Sequence, residues 1–482
     1  MTEMRNLIAA LCLLTVVALP CWGQQENPPN DSSEGAGRAD AEFLQAADEV
    51  LVEMSKLLSL PIREPLKRSA RSREEIRQYL LRQMREDKDD AKRYADRKAL
   101  EALGLIPKGY PLDEKLVALL TEQIAGLYDP KEREFFIADW TQPAEQRLIM
   151  AHELTHALQD QYFHVEKWEE EVKANDDAQL ARESVLEGSA MVAMIDYLLR
   201  DTGKSSRDIE DFDPSLLVGD VNDSPELAEA PLVIQDEIVF PYIPGAAFVQ
   251  RALRRWSGWP DLHRMFENPP ASTQQILHPD LYFRGVMPAQ VDLTPLTSAV
   301  PHTWKKLDEN VMGEFAVNEI FKQFLGKEKA DAIAPSWAGD RYAIYQRESG
   351  MQTLLLIRLK LADEAAATRF FGAYRDLLEK KDETRTAESR RQNLFSFNTT
   401  DGGVFLRCYG SECLIAEGAT QAIFDAMIRA IHWPPALPAI PESGKPGITV
   451  QRRTVSPVNT AAFRDIILPP SPENLIPAYS RR

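Results

Sequence analysis

His152 and His156 stand four residues apart in MAHELTHALQDQ (150–161), with Glu153 directly after the first histidine. On an α-helix, residues i and i+4 share a face, so the two imidazoles would point at one place. Neutral imidazole nitrogens are good zinc ligands, and a glutamate beside that face can take a proton from water without binding the metal. This combination describes amide hydrolysis. Zinc lowers the pKa of a water towards about 7, and Glu153, as general base, accepts its proton while the water attacks a carbonyl. A surface helix that merely carries two histidines is the competing reading. Leu148, Ile149 and Phe163 flank the motif on the same side and argue against it, because histidines on an inward stripe need partners.

Catalytic zinc takes a third protein ligand and keeps one position open. In AQLARESVLEGSAMVAMIDYLL, the stripe Leu180, Glu183, Glu187, Met191, Met194, Leu198 repeats at helical spacing and is apolar except for its two glutamates. Carboxylates on a core-facing stripe are costly unless paired or bound to metal. Either could be the third ligand, with the other orienting a histidine. Glu187 is favoured, because Gly188 beside it lets a neighbouring backbone approach closely. An amphipathic helix whose inward glutamates pair with arginines is the alternative. Asp160, one turn after His156, could fix that histidine's tautomer or could be a solvated helix residue. His278 and Tyr282 in QQILHPDLYF could donate to a developing oxyanion, although Pro279 between them suits a loop or a helix start. His164, His263, His302 and His432 show no ligand spacing.

HELTH followed by a helical glutamate resembles the zincin metallopeptidases whose third ligand is Glu. LEGSA (186–190) is similar to the Asn-Glu-Gly-Phe-Ala element of zinc aminopeptidases, with Leu186 in place of Asn and Ser189 in place of Phe. AGLYDP, HELTHALQDQ, LEGSA, PPASTQQILHP and GDRYAIY together resemble a group of uncharacterised exported bacterial proteins with a predicted zinc-peptidase domain, over about residues 120–350. The resemblance implies His152, His156 and Glu187 as zinc ligands and Glu153 as general base. The gap from His156 to Glu187 is longer than in thermolysin-like or aminopeptidase patterns. The same resemblance implies an edge strand above the metal to which substrate adds, and REFFIAD (133–139) is placed for that role. A hairpin packed only for stability is the other reading.

These groups need a scaffold, and 482 residues are too many for one compact core, so two or three domains are expected. A composition of 44% hydrophobic and 27% charged residues is that of a soluble globular protein. The net charge of −18 argues against nucleic acid and anionic membrane surfaces as partners. Arg5, the apolar run NLIAALCLLTVVALP (6–20) and the small residues of CWG (21–23) form a secretory signal over 1–23. The run is shorter than the ~20 residues of a spanning helix, and Leu19 and Pro20 make a poor lipobox before Cys21. An exported chain without a membrane span in its mature form is expected.

After a polar, flexible leader (24–40), residues 41–290 are expected to form a mainly helical, zincin-like metallopeptidase domain with a small sheet. Its signals are a Ser72…Glu75 capping box, a hairpin over 123–139, a motif helix capped by Thr141 or Gln142 and a second helix over 177–200. An acidic, proline-bearing loop or lid follows over 201–231. Residues 291–482 alternate strand hairpins with helices and predict an α+β accessory domain of ferredoxin-like type. There Cys408 and Cys413 flank a Gly410-Ser411 turn, so a two-residue hairpin sets them opposite each other on a non-hydrogen-bonded pair. With an oxidising compartment, that favours a disulfide over a reduced pair or a metal clip. The functional expectation is an exported zinc metallopeptidase acting on protein or peptide substrates. The competing class is a non-hydrolytic binding or assembly protein on a metal-binding zincin scaffold, against which an intact Glu153 argues.

Overall fold

Ser72 and Glu75 form the capping box that their spacing predicts: Ser72 N and Oγ both donate to Glu75 Oε2, and Glu75 N donates to Ser72 Oγ at 3.3 Å. The fold around it comes from a computed structural model that describes residues 33–86, 90–139, 143–217, 224–348, 350 and 352–437. The signal segment 1–23, the first part of the leader and the cap at Thr141 or Gln142 lie outside the described residues. So does 438–482.

The first half carries α1 (Ser33–Leu58), β1 (Lys67–Arg71), α2 (Arg73–Glu86), α3 (Asp90–Leu103), α4 (Leu112–Gln123), β2 (Gly126–Asp129) and β3 (Glu134–Ala138). Then come α5 (Pro143–Phe163), α6 (Val165–Glu170), α7 (Asp176–Leu199), α8 (Leu232–Val239) and α9 (Ile243–Arg255), followed by short helices up to Thr297. Helix α1 begins inside the segment read as a flexible leader.

The expected hairpin forms, with Gly126 opposite Ile137 and Asp129 opposite Glu134. Its surroundings correct the edge-strand expectation. Strand β1, in a stretch expected to be helical, pairs in parallel with β3, so the sheet order is β1-β3-β2 and REFFIAD is the central strand. The cause is pairing between side chains far apart in the chain. Arg71 reaches Glu134 at 2.9 Å and lies 4.0 Å over the Phe136 ring, and Ser69 Oγ donates to Glu134 at 2.7 Å.

The second half holds β4 (Trp304–Asn310), α10 (Gly313–Leu325), β5 (Trp337–Arg347), β6 (Thr353–Leu361), α11 (Glu364–Lys381), β7 (Thr386–Arg391), β8 (Leu394–Thr399), β9 (Gly402–Tyr409), β10 (Glu412–Ala419) and α12 (Gln421–Ala430). One antiparallel sheet runs β4-β5-β6-β10-β9-β8-β7, so the protein is α+β. The ferredoxin-like expectation is not met. A split β-α-β unit keeps one strand between helix-connected strands, whereas β4 and β5 are direct neighbours and β6 and β7 lie four positions apart. Hairpin patterning shows which strands turn back on each other and leaves open where each hairpin docks.

Cys408 pairs in register with Cys413 across the Gly410-Ser411 turn, with Cα atoms 4.0 Å apart and the sulfurs bonded. Loop-closure entropy for so short a ring gives about 2 kcal/mol. Replacing both cysteines by serine is therefore expected to lower denaturant stability by about that amount and to leave metal content unchanged, measured by urea unfolding and elemental analysis. A loss of metal would show that the hairpin supports the centre.

One face of the large sheet packs against α10 and α11, and the same hydrophobic cluster takes in Ala99, Leu100 and Leu103 of α3 and Leu116 of α4. The other face is closed by α12 through Ile423, Phe424 and Met427. A second cluster joins α1, α5, α7 and α9. Helix α7 is its axis: every residue from Asp176 to Tyr197 is buried. A helix enclosed on all sides lacks the polar face that an amphipathic reading assumes. Residues 232–255 are apolar enough for a membrane span by composition alone. In the fold they are two helices, α8 and α9, and most of the stretch is buried in these clusters.

The approach of α9 to α7 depends on two glycines. A Cβ on Gly188 would lie 2.3 Å from the carbonyl carbon of Gly245, and one on Gly245 would lie 2.5 Å from Ser184 O. Backbone cannot yield as a side-chain tip can, so Gly188→Ala is expected to destabilise by at least ~1–3 kcal/mol, as overpacked cores do. An unshifted urea midpoint would mean that the helices separate freely.

Candidate metal centre

Helix α5 carries the motif, and α7 crosses it one residue away from that glycine contact. The crossing brings Glu187 to the two histidines. Glu187 Oε2 lies 3.0 Å from His152 Nε2 and 3.5 Å from His156 Nε2, and the two Nε2 atoms are 3.2 Å apart. Among the described residues, these three side chains are the group that could hold a metal ion. A tetrahedral ion with bonds of ~2.0–2.1 Å has ligand-to-ligand edges of about 3.3 Å, so the triangle has the size such an ion needs. Glu183, one turn earlier, is as deeply buried but stands outside the triangle, and its charge acts on Glu169 at the end of α6.

The three side chains of the triangle also act on one another's charge. Burial alone would raise the Glu187 carboxyl; His156 and His152 outweigh it and hold it down at about 2. Burial pushes the His152 imidazole below its ordinary value, against the pull of Glu187. An ionised carboxylate beside a neutral imidazole is the protonation state that metal ligands require. The His152 ring also lies nearly parallel to Tyr242, centroids 6.1 Å apart, which steadies its orientation.

Glu153 is 0% exposed. Its Oε2 accepts from Tyr128 N on β2 at 3.1 Å, while Oε1 has no hydrogen-bond partner. Burial first, and the Glu187 charge second, push this carboxyl well above the usual carboxylate range; a divalent cation beside it acts the other way. The strand can lie this close because Gly126 lacks a Cβ, which would meet Ile149 Cγ2 at 2.6 Å and Glu153 Cγ at 3.4 Å.

The neighbour of His156 differs from the one expected. Its Nδ1 faces Gln159 Oε1 at 3.2 Å, not Asp160. Asp160 is drawn elsewhere: it accepts from Tyr128 Oη at 2.8 Å and from Val165 N, at the start of α6, at 3.1 Å. Gln159 is fully buried and donates through Nε2 to Ser189 Oγ at 2.5 Å. Sequence reading passed over both residues. Their signal was available, since Gln159 lies three residues after His156 and Ser189 two after Glu187, on the two helices that must meet. His278 Nε2 pairs with Glu314 at 2.8 Å, and Tyr282 Oη donates to Asn268 O at 2.8 Å, so both candidate oxyanion donors are engaged by residues outside the triangle.

Fold and site together define an α+β protein with a buried His-His-Glu centre and an adjacent carboxylate. Residues 301–428, the large-sheet half, match the profile of a family described as a domain of unknown function, DUF8575. No curated protein and no solved structure matches the chain significantly.

Proposed function

We propose that the protein is an exported zinc metallopeptidase, with His152 Nε2, His156 Nε2 and Glu187 Oε2 as the metal ligands and Glu153 as general base. The observation that carries this reading is the triangle of three donor atoms 3.0–3.5 Å apart, next to a buried carboxylate with one unpartnered oxygen. Two imidazoles and one carboxylate are a donor set that suits zinc. Zinc there supplies Lewis acidity, which polarises a substrate carbonyl and makes water nucleophilic near neutral pH. The chain's own residues do the rest. Tyr128 N holds Glu153 Oε2, which leaves Oε1, without a hydrogen-bond partner, to accept a proton and return it to the leaving amine. The enclosing α5, α7 and α9 exclude bulk water, which strengthens each of these interactions. Two metal-bearing helices beside a small three-stranded sheet support a zincin-like reading of this half, and the Cys408–Cys413 bond supports an oxidising compartment.

One observation favours the second reading, a metal-holding scaffold that does not hydrolyse. Glu153 is wholly enclosed and Glu187 is 4% exposed, so a polypeptide reaches them only if the enclosure opens. The test is elemental analysis of the purified chain together with hydrolysis of unfolded casein, with and without chelator. One zinc per chain and chelator-sensitive cleavage are expected. Zinc without cleavage of casein or shorter peptides would favour the scaffold, and absence of bound metal would sink both.

A further inference from the structure

We infer that Gln159 and Ser189 form a relay that fixes His156 in its Nδ1–H tautomer and so leaves Nε2 bare toward Glu187 and His152. The inference rests on the proposed metal reading for its purpose, though not for its geometry. It is read from the direction of three hydrogen bonds. Ser189 has one hydroxyl proton, and its Oγ stands 2.6 Å from Val185 O and 2.9 Å from Leu186 O, two acceptors on its own helix. That proton is committed to a carbonyl, so the Oγ lone pair receives the hydrogen from Gln159 Nε2 at 2.5 Å. The amide of Gln159 is thereby oriented, and its Oε1, which can only accept, faces His156 Nδ1 at 3.2 Å. A neutral imidazole that donates from Nδ1 has its lone pair on Nε2.

The consequence for the triangle is a count of protons. His156 contributes none to it, so a hydrogen lying between the three donor atoms comes from His152 or Glu187. His156 Nε2 thus offers a bare lone pair to its two neighbours at 3.2 and 3.5 Å, an arrangement that a cation stabilises. The relay runs from the motif helix α5 to the helix that carries Glu187, so the contact that joins the helices also sets the ligand's protonation pattern. Gln159 and Ser189 touch no reacting atom. They are positioning residues.

The test reads the tautomer directly. With histidine-selective labelling of the full chain, the ring nitrogen and carbon shifts of His156 in the metal-free protein are expected to report Nδ1–H. In Gln159→Leu, that preference is expected to disappear and the zinc dissociation constant, measured by chelator competition, to rise about 10–100-fold, the usual effect of removing a ligand's orienting partner. Gln159→Glu restores an acceptor and is expected to recover the tautomer and most of the affinity. Should Gln159→Leu fail to fold, Ser189→Ala leaves Gln159 in place but frees its amide to rotate, and a smaller shift of the same sign is expected. An Nε2–H tautomer in the wild type, or unchanged zinc affinity in Gln159→Leu, overturns the relay. A wild type with the Nδ1–H tautomer but no zinc binding would keep the relay and remove the metallopeptidase reading.

Discussion

Glu153→Gln is expected to cut peptide hydrolysis by a factor of about 10²–10⁴, the range that a positioned general base contributes, with zinc content unchanged. Glutamine has the same shape, and its amide oxygen can still accept from Tyr128 N, so the fold has no reason to rearrange. The lost property is the capacity to hold a proton on the oxygen that has no other partner. A structural outcome accompanies the kinetic one. The Glu153 carboxyl is raised well above its ordinary value of 4.5, by burial first and then by Glu187. The native state therefore binds more protons than the unfolded chain once pH exceeds that ordinary value, and metal-free stability falls as pH rises through this window. The amide does not titrate and escapes that loss. Metal-free Glu153→Gln is accordingly expected to match the wild type near the ordinary carboxyl value of 4.5 and to exceed it in urea stability in mildly alkaline buffer. Equal stability under both conditions would mean that the carboxylate is better solvated than its surroundings indicate. Undiminished hydrolysis would remove Glu153 from the mechanism.

Glu187→Gln is expected to weaken zinc binding by more than about 100-fold, beyond the 10–100-fold that loss of an orienting partner produces. Unlike truncation to alanine, the substitution keeps the volume of a side chain that is 4% exposed, so the change reports on ligation more than on a cavity. Thermal melts provide a second readout. A metal bound only by the native state adds RT ln(1 + [L]/Kd), about 4 kcal/mol at a thousandfold excess over Kd. Zinc should therefore raise the wild-type midpoint by several degrees and that of Glu187→Gln by no more than about a third as much, since a 100-fold weaker Kd leaves about 1.4 kcal/mol. Glu183→Gln is the control, because Glu183 stands outside the donor triangle; it should bind zinc as the wild type does. The opposite pattern, with Glu183→Gln losing the metal, would assign the third ligand to the earlier turn.

The motif's two histidines, the Ser72 capping box and the cysteine pair across Gly410-Ser411 were all legible in the sequence. Each depends on geometry within one helical turn or one two-residue hairpin, which any chain of that sequence adopts once the element forms. Gly188 was legible as a point of close approach, but its partner, Gly245, lies on a helix far along the chain and nothing local announces it. Asp160 shows where the local argument stops. Helical spacing places both Gln159 and Asp160 within reach of His156, and the choice was made by Tyr128 and Val165, which claim the aspartate from outside the helix.

By itself, then, the sequence determined the donor types, their common helical face and the carboxylate beside them, because these follow from the ~3.6 residues of each helical turn. Only the tertiary structure decided that α7 crosses α5 at the height of Glu187, that β1 covers β3 and that the two halves share a hydrophobic cluster. Such contacts join residues tens to hundreds of positions apart. Their selection is a competition among all possible burials of apolar surface and pairings of polar groups, which no short stretch of chain contains.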